Sequence, residues 1–291
     1  MNQLQLVGVL FAALLGLAFG SFLNVFLTRF PEEESIVSPR SHCRNCTHTL
    51  AWWENLPLLS WIILRGRCRE CRTWIGIRYP LIELAVAALW TGCWLRFGTP
   101  LLTADLSNSP IAHTLIELIG HALLCWLLVA LAALDQEYFW LPDVLTLPGI
   151  AIGFFFTLLA GWPSSLIGRT SELAHTAGHS VLAILATAGI ILAIRLGYWI
   201  VRRKEGIGLG DAKLMAMLGA WLGMRGSLES FILATLAASA TAIIWLGVLT
   251  IRRRTEEWSQ IPLPFGTFLC LAALVEVFCP LWLLNPARFG F

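Results

Sequence analysis

The sequence predicts an all-α polytopic membrane protein, and three observations carry that reading. Hydrophobic residues fill 57% of the 291 positions, charged residues only 13%, and mean hydropathy is +0.74. A soluble chain carries roughly 25% charged residues, so about half the usual solvating surface is absent. The apolar residues fall into long runs, and a helix needs about 20 of them to cross roughly 30 Å of hydrocarbon. Third, Lys and Arg gather in three clusters. This excludes a cytosolic enzyme, a disordered chain and a nucleic-acid binder. The lipid bilayer is an expected partner; nucleic acid is not.

Taken in chain order, the apolar runs lie near 4–28, 81–97, 114–134, 143–161, 180–201, 211–224, 228–250 and 263–285, about eight transmembrane helices. The first lacks a basic start and an A-x-A-like cleavage site and contains Asn24, so it is expected to be retained rather than removed as a signal peptide. The sixth is short and closely followed by the seventh, as a buried half-helix would be. Arg29 to Arg78, Arg202 to Lys204 and Arg252 to Arg254 all fall on one side of an eight-span chain. The positive-inside rule makes that side cytoplasmic and puts both termini outside.

Between the first two spans, residues 29–80 are too few to bury much core unaided. Cys43-x2-Cys46 and Cys68-x2-Cys71, separated by 21 residues, suit two knuckles that bring four thiolates around a structural zinc ion. Disulfides are the rival, but a cytoplasmic loop sits in a reducing compartment. The remaining cysteines, Cys93, Cys125, Cys270 and Cys279, stand singly in apolar helices and read as packing residues. Glu32, Glu33 and Glu34 would attract a basic peptide, although acidic runs are more often solvated faces.

The chain has four aspartates. Asp105 sits in a polar loop, whereas Asp135, Asp143 and Asp211 lie at cytoplasmic helix ends. Carboxylates at or inside a bilayer are costly and therefore functional candidates. Asp143, after Pro142, and Asp211, after Gly206, Gly208 and Gly210, also fit helix-start positions that cap free N–H groups. Asp135 does not: it ends a helix, where the dipole disfavours an anion. Two carboxyls sharing one site titrate as a pair, one ionised and one protonated, and can activate water and protonate a peptide carbonyl. On the dipole argument Asp211 is the more easily ionised partner and Asp135 the more easily protonated one.

Gly208-Leu-Gly210-Asp211 resembles the GxGD signature of membrane aspartyl proteases. An ordered set of further segments resembles the type IV prepilin peptidases (leader peptidase/N-methyltransferase family) along nearly the whole chain. These are Gly20-Ser-Phe-Leu-Asn24-Val, the paired cysteines around Trp53-Glu54-Asn55-Leu-Pro57, Arg78-Tyr-Pro-Leu-Ile-Glu83, Asp135-x7-Asp143 and Pro264-Phe-Gly266. The resemblance implies Asp135 and Asp211 as the catalytic pair, with Asp143 structural. It implies prepilin or pseudopilin substrates, for type IV pili or type II secretion, cleaved at the cytoplasmic face of the bacterial inner membrane. Many members then methylate the new amino terminus with S-adenosylmethionine, and Glu54, Asn55, Arg78 and Glu83 are candidates for that second site by motif membership. The expected organisation is 1–85, with the first membrane helix, the cysteine loop and the methyltransferase-linked part; 110–255, the peptidase core; and 256–291, the last helix. Thr267 stands where a proline is common, a difference expected to be neutral. The alternatives are a peptidase without methylation, a proton-coupled small-solute transporter and a non-catalytic assembly scaffold.

Overall fold

A computed structural model describes residues 3–103, 111–161, 169–203, 208–251 and 263–280. Asp105, Lys204, Gly206 and the Arg252–Arg254 cluster lie outside these. Among the described residues there is no strand, only helices and two isolated antiparallel bridges. In order the helices are α1 (Gln3–Arg29), α2 (Leu59–Ile63), α3 (Arg78–Cys93), α4 (Pro100–Thr103), α5 (Ile111–Tyr138), α6 (Asp143–Ala160), α7 (Arg169–Arg202), α8 (Leu209–Ile251) and α9 (Phe265–Phe278). Six of them are long and apolar enough to cross a membrane, and α9 is a shorter apolar helix. The expected pair 211–224 and 228–250 is one element broken at Gly223, whose φ of +69° and ψ of −177° no helix can hold. Glycine tolerates that conformation because it has no Cβ. The break falls before residues 225–227, which are helical, rather than at them. The chain divides into two compact units, Met1–Ala130 and Leu131–Phe291.

In the first unit α1 packs against α3. Gly16 and Gly20, one turn apart, let the backbones meet: a Cβ on either would lie 2.6 Å from Ala87 Cα or 2.7 Å from Glu83 Cα. Small residues at this spacing are what close helix packing in a bilayer requires. Asn24 Nδ2 donates to Tyr79 O at 2.9 Å and fixes the register of the pair. After α1, buried Arg29 donates to the carbonyls of Ser35 and Pro39 at 3.0 and 2.8 Å, gathering the start of the insertion around one guanidinium.

In the second unit α8 contacts α6, α7 and α9. Its first half is buried almost all round, with Leu214, Met215, Met217 and Leu218 fully enclosed, as a helix apolar on every side should be. Polar groups tie it in place. The Thr187 hydroxyl lies 2.9 Å from Met215 O, Thr157 donates to Ala220 O at 2.7 Å, and Trp221 Nε1 donates to Gly149 O at 2.9 Å. Side chains on the outer faces, such as Leu185 on α7 and Ile243 and Ile244 on α8, are exposed, which suits contact with lipid tails. The central helix thereby presents its N-terminus, and Asp211 with it, at a defined place in the unit.

Candidate functional site

In the second unit Asp135 and Asp211 line one cavity of about 460 Å³, together with Phe139, Trp140, Leu141, Asp143 and Lys213. Asp135 lies in the last turn of α5 and is buried. Its Oδ2 accepts hydrogen bonds from the Thr267 backbone N–H at 2.6 Å and from the Thr267 hydroxyl at 3.1 Å. These donors, which lie 132 positions away in the chain, offset the unfavourable helix dipole at Asp135. Thr267 can reach the carboxyl because Gly266 has no side chain: a Cβ there would sit 3.0 Å from Asp135 Cγ, Asp135 Oδ2 and Leu141 Cδ1. Thr267 lies in the first turn of α9, where N–H groups lack the usual i−4 partner; its N–H makes only a longer 3.2 Å contact with Pro264 O and reaches Asp135 more closely. A proline at this position would have no N–H to give, so the substitution expected to be neutral changes how Asp135 is held.

Asp211 is the third residue of α8, and the Gly208 backbone N–H donates to its carboxyl. Its capping and its place in the cavity are therefore compatible. The two carboxyls are close enough for the Asp135 charge to act on Asp211, and Cys270 of α9 is buried within the field of both. Asp143 behaves differently. It is the first residue of α6, makes no capping hydrogen bond, is exposed, and pairs with Lys213. The expected cap is an ion pair at the cavity wall instead. Glu229 and Glu276 are also buried acids in apolar helices, a signal the sequence carries as plainly as it does the aspartates. Glu229 is held by Arg225 one turn earlier at 3.0 Å.

In the first unit the two Cys-x2-Cys segments form matching knuckles. Cys43 N–H donates to His48 O and Thr47 N–H to Cys43 O; Cys68 N–H donates to Thr73 O and Arg72 N–H to Cys68 O. The residue after each second cysteine, Thr47 or Arg72, has positive φ, 58° and 59°. Bridges His42–Thr49 and Arg67–Trp74 close the two loops. All four sulfurs lie within 4.8 Å of one another, with Cys43–Cys71 at 3.7 Å and Cys46–Cys68 at 3.9 Å. Thiolates about 2.3 Å from a tetrahedral zinc ion would be about 3.8 Å apart, so the tetrad fits a metal of that size. The sulfurs are too distant for disulfides, whose S–S bond is about 2.05 Å. Thr73, through its side chain and then its backbone, pulls the Cys71 thiol down to about 5. At Cys46 the His48 backbone N–H works the same way, but burial and the neighbouring sulfurs push the thiol up to about 12.

The remaining candidates separate. Glu54, Asn55 and Glu83 line a cavity in the first unit, whereas Arg78 does not. Burial opposes the Glu54 charge, but the Ala51 N–H at 2.7 Å and His48 Nε2 at 3.3 Å hold its carboxyl below the usual range. Arg44 lies 2.6 Å from Glu32 and 3.7 Å from Glu34, so the acidic run is partly neutralised from within the insertion.

Residues 14–97 match the model of the bacterial peptidase A24 N-terminal domain, and residues 122–274 match that of the type IV leader peptidase family. Relatives named prepilin leader peptidase/N-methyltransferase extend the match. The chain is 37% identical to one from Burkholderia pseudomallei, over 92% of this chain and 84% of the relative. For Pseudomonas aeruginosa the figures are 34%, 92% and 89%, and for Aeromonas hydrophila 33%, 91% and 88%. No solved structure shows significant similarity to the chain. With more than half its length matched by the family model and its relatives aligned nearly end to end, the chain belongs to the type IV leader peptidase family.

Proposed function

We propose that the chain is a membrane aspartyl endopeptidase in which Asp135 and Asp211 cleave the basic leader of type IV prepilins or pseudopilins, and that it N-methylates the exposed amino terminus with S-adenosylmethionine. The shared cavity of the two aspartates carries the peptidase reading, and the names of the relatives carry the substrate and the second activity. In this reading one carboxylate takes a proton from water while the other, protonated, donates to the scissile carbonyl oxygen. The hydroxide adds to the carbonyl carbon; as the C–N bond breaks, the leaving amine takes a proton from the carboxyl that gained one, and the protonated carbonyl oxygen returns its proton to the other carboxylate, restoring the pair. Gly266 and Thr267 fix Asp135, and Gly208 holds Asp211, so the pair is oriented before substrate arrives.

The substrate chemistry is consistent with a membrane-edge site. A prepilin has a basic leader followed by an apolar helix, so the helix can lie in lipid while the scissile bond stays at the interface. By the positive-inside rule the Lys/Arg clusters favour the cytoplasmic face of the inner membrane for that interface. Zinc bound by Cys43, Cys46, Cys68 and Cys71 would give the insertion the stability its small core lacks. Mass spectrometry of a prepilin incubated with purified enzyme and S-adenosylmethionine tests the reading. The mature chain should begin directly after the leader and be one methyl group heavier. An uncleaved prepilin refutes the peptidase, and a cleaved but unmethylated one refutes the second activity.

A further inference from the structure

The insertion of the first unit contains one short helix, α2, with the sequence Leu59-Ser-Trp-Ile-Ile63. Residues at i, i+3 and i+4 share a helix face. Here that face is apolar throughout: Leu59, Ile62 and Ile63 are 56%, 62% and 66% exposed. Ser60 and Trp61 turn the other way, into the body of the insertion. Both line its cavity, Trp61 Nε1 donates to Ile75 O at 3.1 Å, and the Trp61 ring meets Trp74 edge-on. A single exposed leucine is ordinary on a protein surface, but three aligned apolar side chains with nothing polar among them form a face that water does not favour.

The way α2 is anchored decides what covers that face. Leu58 N–H donates to Glu83 Oε2, on α3, at 2.8 Å. The apolar helical stretch Arg78–Gly98 has 21 residues. At about 1.5 Å per residue it is about 31 Å long and only just spans roughly 30 Å of hydrocarbon. Arg78 therefore stands at one surface, and Glu83 lies about 7.5 Å further along the axis. Helical side chains lean toward the N-terminus, so Leu58 is somewhat nearer that surface than the Glu83 backbone. Leu58 reaches this place in a costly conformation. Its φ is +58° and its ψ −47°, and Leu59 N–H donates to Pro57 O at 2.6 Å, a γ-turn that is rare and strained. The turn sets the start of α2 beside α3, near the level of Leu81 and Leu84, which are exposed on a spanning helix. Arg65 and Arg67, both exposed, follow directly after α2.

We infer that α2 is a wedge seated in the leaflet where α3 begins, with Leu59, Ile62 and Ile63 among the lipid tails and Arg65 and Arg67 on the phosphates of anionic headgroups. Apolar faces of this kind enter the boundary of headgroups and tails by about 5–10 Å, in keeping with the depth that the Glu83 link sets. Arginine stems lie along the tails while the guanidinium stays at the phosphates. The loop of Cys68 and Cys71 closes through the Arg67–Trp74 bridge, and Trp74 packs on Trp61, so the wedge also holds that knuckle at the membrane surface. The inference is independent of both proposed activities.

The test uses the full chain in vesicles of phosphatidylcholine, with or without phosphatidylglycerol. A genetically encoded fluorescent amino acid replaces Leu59, Ile63 or, as a reference, Leu81; each is more than half exposed, so the label displaces no packed group. Lipids brominated on the tail quench a fluorophore in the bilayer, and iodide quenches one in water. Labels at Leu59 and Ile63 should be quenched by brominated lipid at least half as strongly as the label at Leu81 and be shielded from iodide. With Arg65→Gln and Arg67→Gln together, quenching in phosphatidylglycerol vesicles should fall about twofold, to its value in phosphatidylcholine alone, because each arginine at an anionic surface adds attraction. Quenching of either label by iodide and not by brominated lipid overturns the wedge. Resistance to both quenchers assigns the face to a second copy of the chain and overturns it too, as does shielding that arises only when prepilin is added, which assigns the face to substrate. Equal quenching in the two kinds of vesicle overturns the anionic contact. An unquenched label at Leu81 overturns the placement of α3 on which the depth rests.

Discussion

Replacing Gly266 by Ala should cripple cleavage while leaving the protein folded. The new Cβ would stand 3.0 Å from Asp135 Cγ and Oδ2 and 3.0 Å from Leu141 Cδ1. Carbon atoms rest at about 3.5–4.0 Å, so something must yield by about 0.5 Å. Asp135 is held on Oδ2 by Thr267 N–H at 2.6 Å, and backing away stretches that bond towards about 3.1 Å. Catalytic groups work only within about 0.5 Å of their productive geometry, and a 1 Å misplacement costs about 100-fold. The expected loss in kcat is therefore about 10- to 100-fold, or about 1.4–2.8 kcal/mol of barrier. Stability should change little, because crowding costs about 1–3 kcal/mol while alanine favours a helix by about 1 kcal/mol over glycine. Gly189→Ala, where the added carbon meets nothing within 4 Å, is the control. Timed cleavage of a detergent-solubilised prepilin at matched enzyme concentration measures both. Wild-type kcat in Gly266→Ala would refute the reasoning that this glycine seats Asp135.

Other consequences are smaller or concern the first unit. Thr267→Val keeps the backbone N–H and loses one donor, so kcat should fall by no more than about tenfold, the net worth of one hydrogen bond; a greater loss would mean that the hydroxyl, not the N–H, holds Asp135. Asp143→Ala breaks an exposed pair with Lys213 and should cost at most about 1 kcal/mol in thermal unfolding. Cys43→Ser with Cys68→Ser should abolish bound metal, measured by elemental analysis, and open the insertion to protease; unchanged metal content would defeat the zinc assignment. The Ala51 N–H and His48 hold Glu54 below the usual carboxylate range, so its contribution is complete above that range and is lost as pH falls through the lower folded value. Tryptophan fluorescence of the insertion should follow that loss in the wild type, and Glu54→Gln should remove this component; an identical acid profile in both would exclude Glu54 as its source.

Much of this was legible in the sequence because membrane helices and metal knuckles are local. Runs of apolar residues located the apolar helices, although α7 begins at Arg169 rather than near 180, α9 ends at Phe278 rather than near 285, and the expected gap at 225–227 lies just after the break at Gly223. The four cysteines were found by spacing, and the structure brings their sulfurs together. Asp135 and Asp211 stood out because a carboxylate at an apolar helix end needs a reason. What the sequence could not supply was the partner across space. Thr267 meets Asp135 across 132 positions, and no periodicity links them. Asp143 lost its expected capping role for a similar reason, since Lys213 lies 70 positions away.

The pairing of Asp135 with Asp211 is tested most directly by cleavage of a co-expressed prepilin in Asp135→Ala, Asp143→Ala and Asp211→Ala chains, with the membrane level of each measured. Losses of about 10²–10⁴-fold are expected for Asp135 and for Asp211, as for removal of an acid–base group, with near-normal cleavage for Asp143. Cleavage retained at equal membrane level after loss of either Asp135 or Asp211 would contradict that pairing.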